Sequence, residues 1–195
     1  MFGLFEQCSN DGPFLPQTPG SLLRQSRAGR AFNIRPLKQS DSALVGEFLS
    51  QLSANTLLNR FFVGRNSLSE SAITAEIKRL YQVGKDKGSV LVATYCDPAK
   101  EKEEIIGLGE ISRDRTLYLM AEVALTVRDD FQGEGIGSAL ALQLVNEARK
   151  KGLTTLRAET LFHNQPMRRI WPKLGLPYSF QANHDVTIML ALLNP

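Results

Sequence analysis

Two groups of residues in this chain have types and spacing suited to chemistry. The first is Gln132-Gly133-Glu134-Gly135-Ile136-Gly137-Ser138, a glycine-rich turn that follows an apolar run ending in Leu125-Thr126-Val127. The turn opens directly into an amphipathic stretch. Strand, glycine turn and helix start, in that order, aim several backbone N–H groups and the positive end of a helix dipole at one point, which suits a diphosphate. Glycine at 133, 135 and 137 admits positive φ and lets a ligand approach the backbone with no Cβ in the way. The second is Glu122, a lone carboxylate within the apolar segment Met120-Ala121-Glu122-Val123-Ala124-Leu125. A charge there needs a partner or a purpose, and general acid–base work is one such purpose. The plainer alternatives are an ion pair with a nearby Arg or Lys, or a strand end that reaches solvent. Glu110 on the preceding apolar run is a second candidate base, and the loop histidines His163 and His184 are further candidates with simple solvation as the plainer alternative.

The glycine turn is not a P-loop, because no Gly-Lys-Ser/Thr follows it, and it lacks the third glycine spacing of a dinucleotide fingerprint. The elements that must hold it are readable. Phe32–Leu37 forms a strand stopped by Pro36, and Ser40 or Asp41 caps a helix running through Phe48, Leu49 and Leu52. Residues 55–62 and 67–81 form two further helices, the latter capped by Ser67 or Ser69. Residues 90–95 and 104–111 form a hairpin, and 117–127 the long central strand. A helix over 138–151 ends at Gly152. Residues 155–161 form a strand, 164–174 a short helix interrupted by Pro172, and 185–193 a last strand. That order predicts an α/β fold with a mixed central sheet and helices on both faces.

At 195 residues the chain suits one domain with a proper core, and 43% hydrophobic with 22% charged residues is ordinary for a globular protein. A net charge of +3 is too small to argue for nucleic acid, and no apolar run is long enough for a membrane span. Cys8 and Cys96 have no metal-type spacing and read as free thiols. Residues 1–31 are rich in Pro, Gly and Arg and read as a poorly ordered extension before a domain over 32–195.

Read as Gln132-x-x-Gly135-x-Gly137, the turn resembles the acetyl-CoA motif of the GNAT superfamily of N-acetyltransferases. Asn164-x-x-Met167 followed by Leu174-Gly175-Leu176 is similar to a second landmark of that superfamily, and the likeness covers about residues 32–193. The opening, Ile34-Arg35-Pro36 with Asp41 and then Leu52-Ser53-x-x-Thr56-x-x-x-Arg60-Phe61-Phe62, looks like the acetyltransferase domain of bacterial Pat-type protein lysine acetyltransferases. The resemblance implies a GNAT-type fold and acetyl-CoA as co-substrate, with no metal. It implies that the backbone of Leu125, Thr126 and Val127 pairs with the pantetheine arm. The N–H groups from Gly133 through Glu134, Gly135, Ile136 and Gly137 to Ser138 would cradle the pyrophosphate, with Gln132 opening the motif. Asn164 would meet the pantetheine end, a strand N–H near Leu125 would receive the oxyanion, and Glu122 would be the general base.

One position departs from the pattern. Where many relatives carry a tyrosine seven residues after the motif asparagine, this chain has Trp171, which cannot supply a phenolic proton. The resulting expectation is an acetyltransferase acting on a protein lysine in the cytoplasm, as a monomer or homodimer, without nucleic acid or membrane as partner. A small-molecule amine acceptor and a non-catalytic acyl-CoA sensor are the alternatives.

Overall fold

The computed structural model describes residues 22–98, 101–113, 117 and 119–193. Eight strands form one sheet in the order β1-β2-β3-β4-β5-β6-β8-β7. They are β1 (Leu22–Gln25), β2 (Ala31–Pro36), β3 (Ser89–Asp97), β4 (Lys102–Arg113), β5 (Met120–Val127), β6 (Thr155–Leu161), β7 (Tyr178–Asn183) and β8 (Val186–Leu192). Every neighbouring pair is antiparallel except β5 and β6. The helices are α1 (Ser42–Ser50), α2 (Ala54–Phe61), α3 (Glu70–Lys85), α4 (Ile136–Lys150) and α5 (Gln165–Arg168). The mixed sheet with helices on both faces is the expected α/β architecture.

Alternation along the strands splits the core in two. One cluster joins Ile136, Leu140 and Leu144 of α4 to Leu91, Val123, Leu156 and Met189 on one face of the sheet. The other joins Val45 and Phe48 of α1, Leu57 of α2 and Leu80 of α3 to Val90, Val92 and Leu108 on the opposite face. The close seat of α4 depends on missing side chains in β4. A β-carbon on Gly109 would stand 3.0 Å from both Leu125 and Leu144, and one on Gly107 would stand 3.1 Å from Leu140. Helix starts follow capping chemistry: Ser53 Oγ accepts the Thr56 N–H at the head of α2, and Ser69 Oγ accepts the Ala72 N–H at the head of α3.

Three expectations change. Leu22–Gln25 already pairs with β2, so the domain begins before the break expected at residue 32; residues 1–21 of the expected extension lie outside the described residues. Tyr178–Asn183 forms the edge strand β7, whose alternation of apolar and polar residues was a readable signal. Cys96 is disulfide-bonded, not a free thiol, and Cys8 lies outside the described residues.

Candidate active site

The site is made by a disagreement between two strands. β5 and β6 run parallel but pair only from Met120 to Glu122 against Thr155 to Arg157, then part. The Arg128 N–H donates to Ile106 O on β4 at 2.9 Å. By strand alternation the N–H groups of Thr126 and Ala124 point toward β4, whereas those of Val127 and Leu125 point into the gap. Consistently, Val127 O is reached from that side by Gln132 Nε2 at 3.0 Å. The C-terminal half of β5 thus offers unpaired backbone to an extended ligand, at the carboxyl ends of parallel strands where α/β folds usually bind one.

A cleft of about 400 Å³ fills the gap. Leu125, Thr126 and Val127 form one wall, and Gln132, Gly133, Gly135, Ile136, Gly137 and Ser138 close its end. His163, Asn164, Pro166, Met167, Arg169, Ile170 and Lys173 form the facing wall, while Asn55, Thr56, Asn59 and Arg60 of α2 enter from the other face of the sheet. The cleft therefore passes through the plane of the sheet, with the start of α4 at one mouth and α2 at the other.

Its end is suited to an anion. Gly135, at φ +95°, is the residue before α4, and the first intrahelical bond runs from the Ala139 N–H to Gly135 O at 3.0 Å. The N–H groups of Ile136, Gly137 and Ser138 therefore have no acceptor within the helix. Gly133 is also left-handed, at φ +78°, but Gly137 is not; it serves by space, since a β-carbon there would stand 3.2 Å from Ile170. Arg27, Arg60, Arg169 and Lys173 line the cleft, and among the described residues no carboxylate does. The donors, the glycine cradle and this cationic lining fit a nucleotide diphosphate with an extended arm.

Not every motif residue faces the cleft. The Glu134 carboxylate turns away and takes Ser26 Oγ at 2.7 Å and the Arg30 guanidinium. Gln132 Nε2 donates to Val127 O and to Thr56 Oγ1, so its side chain ties the turn to β5 and α2. Asn164 Oδ1 accepts the Met167 N–H at 3.2 Å, capping α5 while its residue lines the cleft. The cap and a place in the cleft wall coexist there.

Glu122 stands beside the cleft, not in its lining. It is the last β5 residue paired with β6, at the vertex of the splay, on the face that carries Thr126 and α2. Its side chain is 55% exposed and lies 3.9 Å from Arg157, which is held more tightly by Glu159 at 2.6 Å. Glu110, by contrast, is buried and committed: it accepts from Arg60 and Arg79, each at 2.8 Å. Those bonds remove it as a candidate base.

Trp171 is fully buried in the α4-side core, and Tyr178 packs edge-on against Phe180, 5.2 Å between ring centres. No tyrosine lines the cleft among the described residues. His163, set apart above only as a titratable side chain, does line it, as do several residues that the sequence reading missed. Asn55 with Asn59 and Arg169 with Lys173 recur at i, i+4, a helical polar spacing that was available as a signal. Arg27 gave no such signal. Among the described residues no cluster of three His, Cys, Asp or Glu is placed to hold a metal, and no helix is long and apolar enough to cross a membrane.

Residues 56–176 match the acetyltransferase (GNAT) family. Over 151 residues the chain is 32% identical to Acetyltransferase Pat of Mycolicibacterium smegmatis, covering 77% of this chain but only 43% of that protein. The chain thus spans less than half of that relative. The GNAT domain of S. lividans PAT superposes with a TM-score of 0.74 at 23% identity, over 88% of this chain and 96% of that one. The Salmonella typhimurium protein yncA, solved with its cofactor acetyl-CoA, superposes with a TM-score of 0.65 at 19% identity, over 84% and 94%.

Proposed function

The chain belongs to the acetyltransferase (GNAT) family and is an acetyl-CoA-dependent acyltransferase; from that premise we propose that it acetylates protein lysine side chains, with Glu122 as general base. The observation that carries the proposal is the position of the half-exposed Glu122 at the vertex of the β5–β6 splay, beside a cleft whose far end offers unpaired donors suited to phosphates. The Pat-like opening and the likeness to Acetyltransferase Pat support the choice of a protein acceptor.

Bound acetyl-CoA supplies the activated acetyl thioester. The chain's residues do the rest. The unpaired donors from Ile136 to Ser138 hold the diphosphate, and the gap-facing edge of Leu125 to Val127 aligns the arm. The Leu125 N–H points into the gap and donates to the acetyl oxygen as negative charge grows on it, without reorganising. A lysine amine is protonated at neutral pH, with a pKa of about 10.4, so Glu122 takes a proton, directly or through water, before attack. Arg157, held by Glu159, stands 3.9 Å from Glu122 and leaves its carboxylate open to the acceptor. Water protonates the departing thiolate, which is acceptable for a thiol pKa of about 8.5. We place the reaction in the cytoplasm, carried out by a monomer or homodimer.

The experiment is acetyl-CoA turnover by purified protein, read as free CoA thiol against protein acceptors and small amines, with acetyl-lysine detected by mass spectrometry. Modified protein lysines support the proposal; release with small amines alone overturns the acceptor. Glu122→Gln should bind acetyl-CoA normally and lose roughly 10²–10⁴-fold in kcat. Unchanged turnover would remove Glu122 from the mechanism.

A further inference from the structure

The phosphate end of the cleft has a wall that the glycine motif does not supply. Arg27-Ala28-Gly29 is a three-residue hairpin loop between β1 and β2, closed by the Ser26 N–H to Arg30 O at 2.9 Å, with Gly29 left-handed at φ +79°. This loop is bolted to the glycine turn. The Arg27 N–H donates to Glu134 O at 3.0 Å, Ser26 Oγ donates to the Glu134 carboxylate at 2.7 Å, and Arg30 pairs with the same carboxylate. Arg30 also donates to Asp130 O at 2.8 Å and lies 3.7 Å over the Phe131 ring. Glu134 and Arg30 thus satisfy each other.

Arg27 has no such arrangement. Its backbone is pinned, its side chain lines the cleft, and its Nε stands 4.0 Å from where a β-carbon on Gly135 would be. Among the described residues its guanidinium has no hydrogen-bond or ion-pair partner. A cation beside the start of α4 faces the positive end of that helix dipole, which disfavours it unless an anion lies between them. A guanidinium suits that anion when it is a phosphate, because its fork donates two parallel N–H bonds.

We propose that Arg27 binds phosphate oxygens at the nucleotide end of the acyl-CoA, and that Glu134 is the positioning residue that holds Arg27 there. The N-terminal hairpin is then part of the cofactor site. The phosphate is either the pyrophosphate or the 3′-phosphate.

The test is calorimetric binding of acetyl-CoA, 3′-dephospho-acetyl-CoA and S-acetyl-pantetheine to the full chain and to Arg27→Ala. Loss of one charge-assisted phosphate contact predicts about 10-fold weaker acetyl-CoA binding, with S-acetyl-pantetheine unaffected. If the loss persists with the dephospho form, the partner is the pyrophosphate; if it vanishes, the partner is the 3′-phosphate. No loss for acetyl-CoA, or an equal loss for all three donors, overturns the proposal. Glu134→Ala should show the same donor pattern, and adding it to Arg27→Ala should cost nothing further; fully additive losses would overturn the positioning role. Because every arm reads donor binding alone, its outcome is independent of the acceptor and of Glu122.

Discussion

Individual residues at this site divide by how far their environment reaches along the chain. Gly135 was legible because its demand is local: a left-handed residue directly before α4, at φ +95°. Gly135→Ala should therefore cost about 1–2 kcal/mol of stability and raise KM for acetyl-CoA, checked by urea unfolding beside steady-state kinetics. Asn164 was legible for the same reason, as a cap three residues before the N–H it accepts. Glu122 was only half legible. Its isolation in an apolar strand is written in the sequence, but its neighbour Arg157 is set by strand pairing across 35 positions and could not be read locally. Trp171 was read as a missing acid, and its burial shows what the position does instead: it fills the core. Among the described residues its indole N–H has no partner, so Trp171→Phe exchanges lost volume against removal of an unpaired buried donor. Stability should fall by no more than about 2 kcal/mol, and kcat should stay within about twofold. A large fall in kcat would return Trp171 to the chemistry.

Between elements, the join of the segment after β5 to the head of α2 is polar. Asp129, just after β5, accepts from Ser53 Oγ at 2.6 Å, from the Ser53 N–H at 2.9 Å and from Thr56 Oγ1 at 2.8 Å. Gln132 then bonds the same Thr56. The glycine turn and the head of α2 are thereby one unit, a join no local sequence signal records, since 73 positions separate Thr56 from Asp129. Partial burial pushes the Asp129 carboxyl upward, but the Ser53 and Thr56 bonds outweigh it and hold the group below its ordinary value. A carboxyl whose ionisation folding favours stabilises the fold above the unfolded-state pKa of about 4. That stabilisation disappears as pH falls through the lower folded value. Urea midpoints measured from pH 7 down to pH 3 should therefore fall faster in the wild-type protein than in Asp129→Asn, which is less stable at neutrality. The two curves should converge at the acid end. Parallel curves would mean that the carboxylate contributes nothing to the join. Glu76 moves in the same direction, with Arg79 and Arg60 overcoming its burial, so the wild-type slope contains more than Asp129 alone and the comparison between variants carries the argument.

Across the whole molecule, the order of the five helices and of six of the eight strands was legible because each has its own periodicity and caps, while the edge strands β1 and β7 lay outside that order. The parting of β5 from β6 was not legible, because nothing in either strand alone records where their pairing stops. That parting decides how the molecule should respond to its ligand. On the α4 side one core crosses the gap, from Leu91 and Ala93 on β3 to Met189 and Ala191 on β8. On the other side the apolar cluster reaches Ile105 and Leu108 of β4 and goes no further. Strands β6, β8 and β7 are therefore joined to the rest mainly by α4 packing and a short run of backbone pairing near Met120–Glu122, with β6 also touching α2 and the cleft where further pairing would be. A ligand that lies along Leu125 to Val127 and touches the facing wall replaces that missing pairing. Acetyl-CoA at 100 times its Kd should add about 2.7 kcal/mol by mass action. For a chain of this size that is roughly 5–11 °C in Tm. The shift alone would follow from binding anywhere, so location has to be read separately. Amide exchange should slow in the C-terminal half of β5 and across β6 and β8, with little change in β2 and β3, whose pairing is already complete. Slowing confined to the start of α4 would mean that only the phosphates are held and that the arm does not enter the gap.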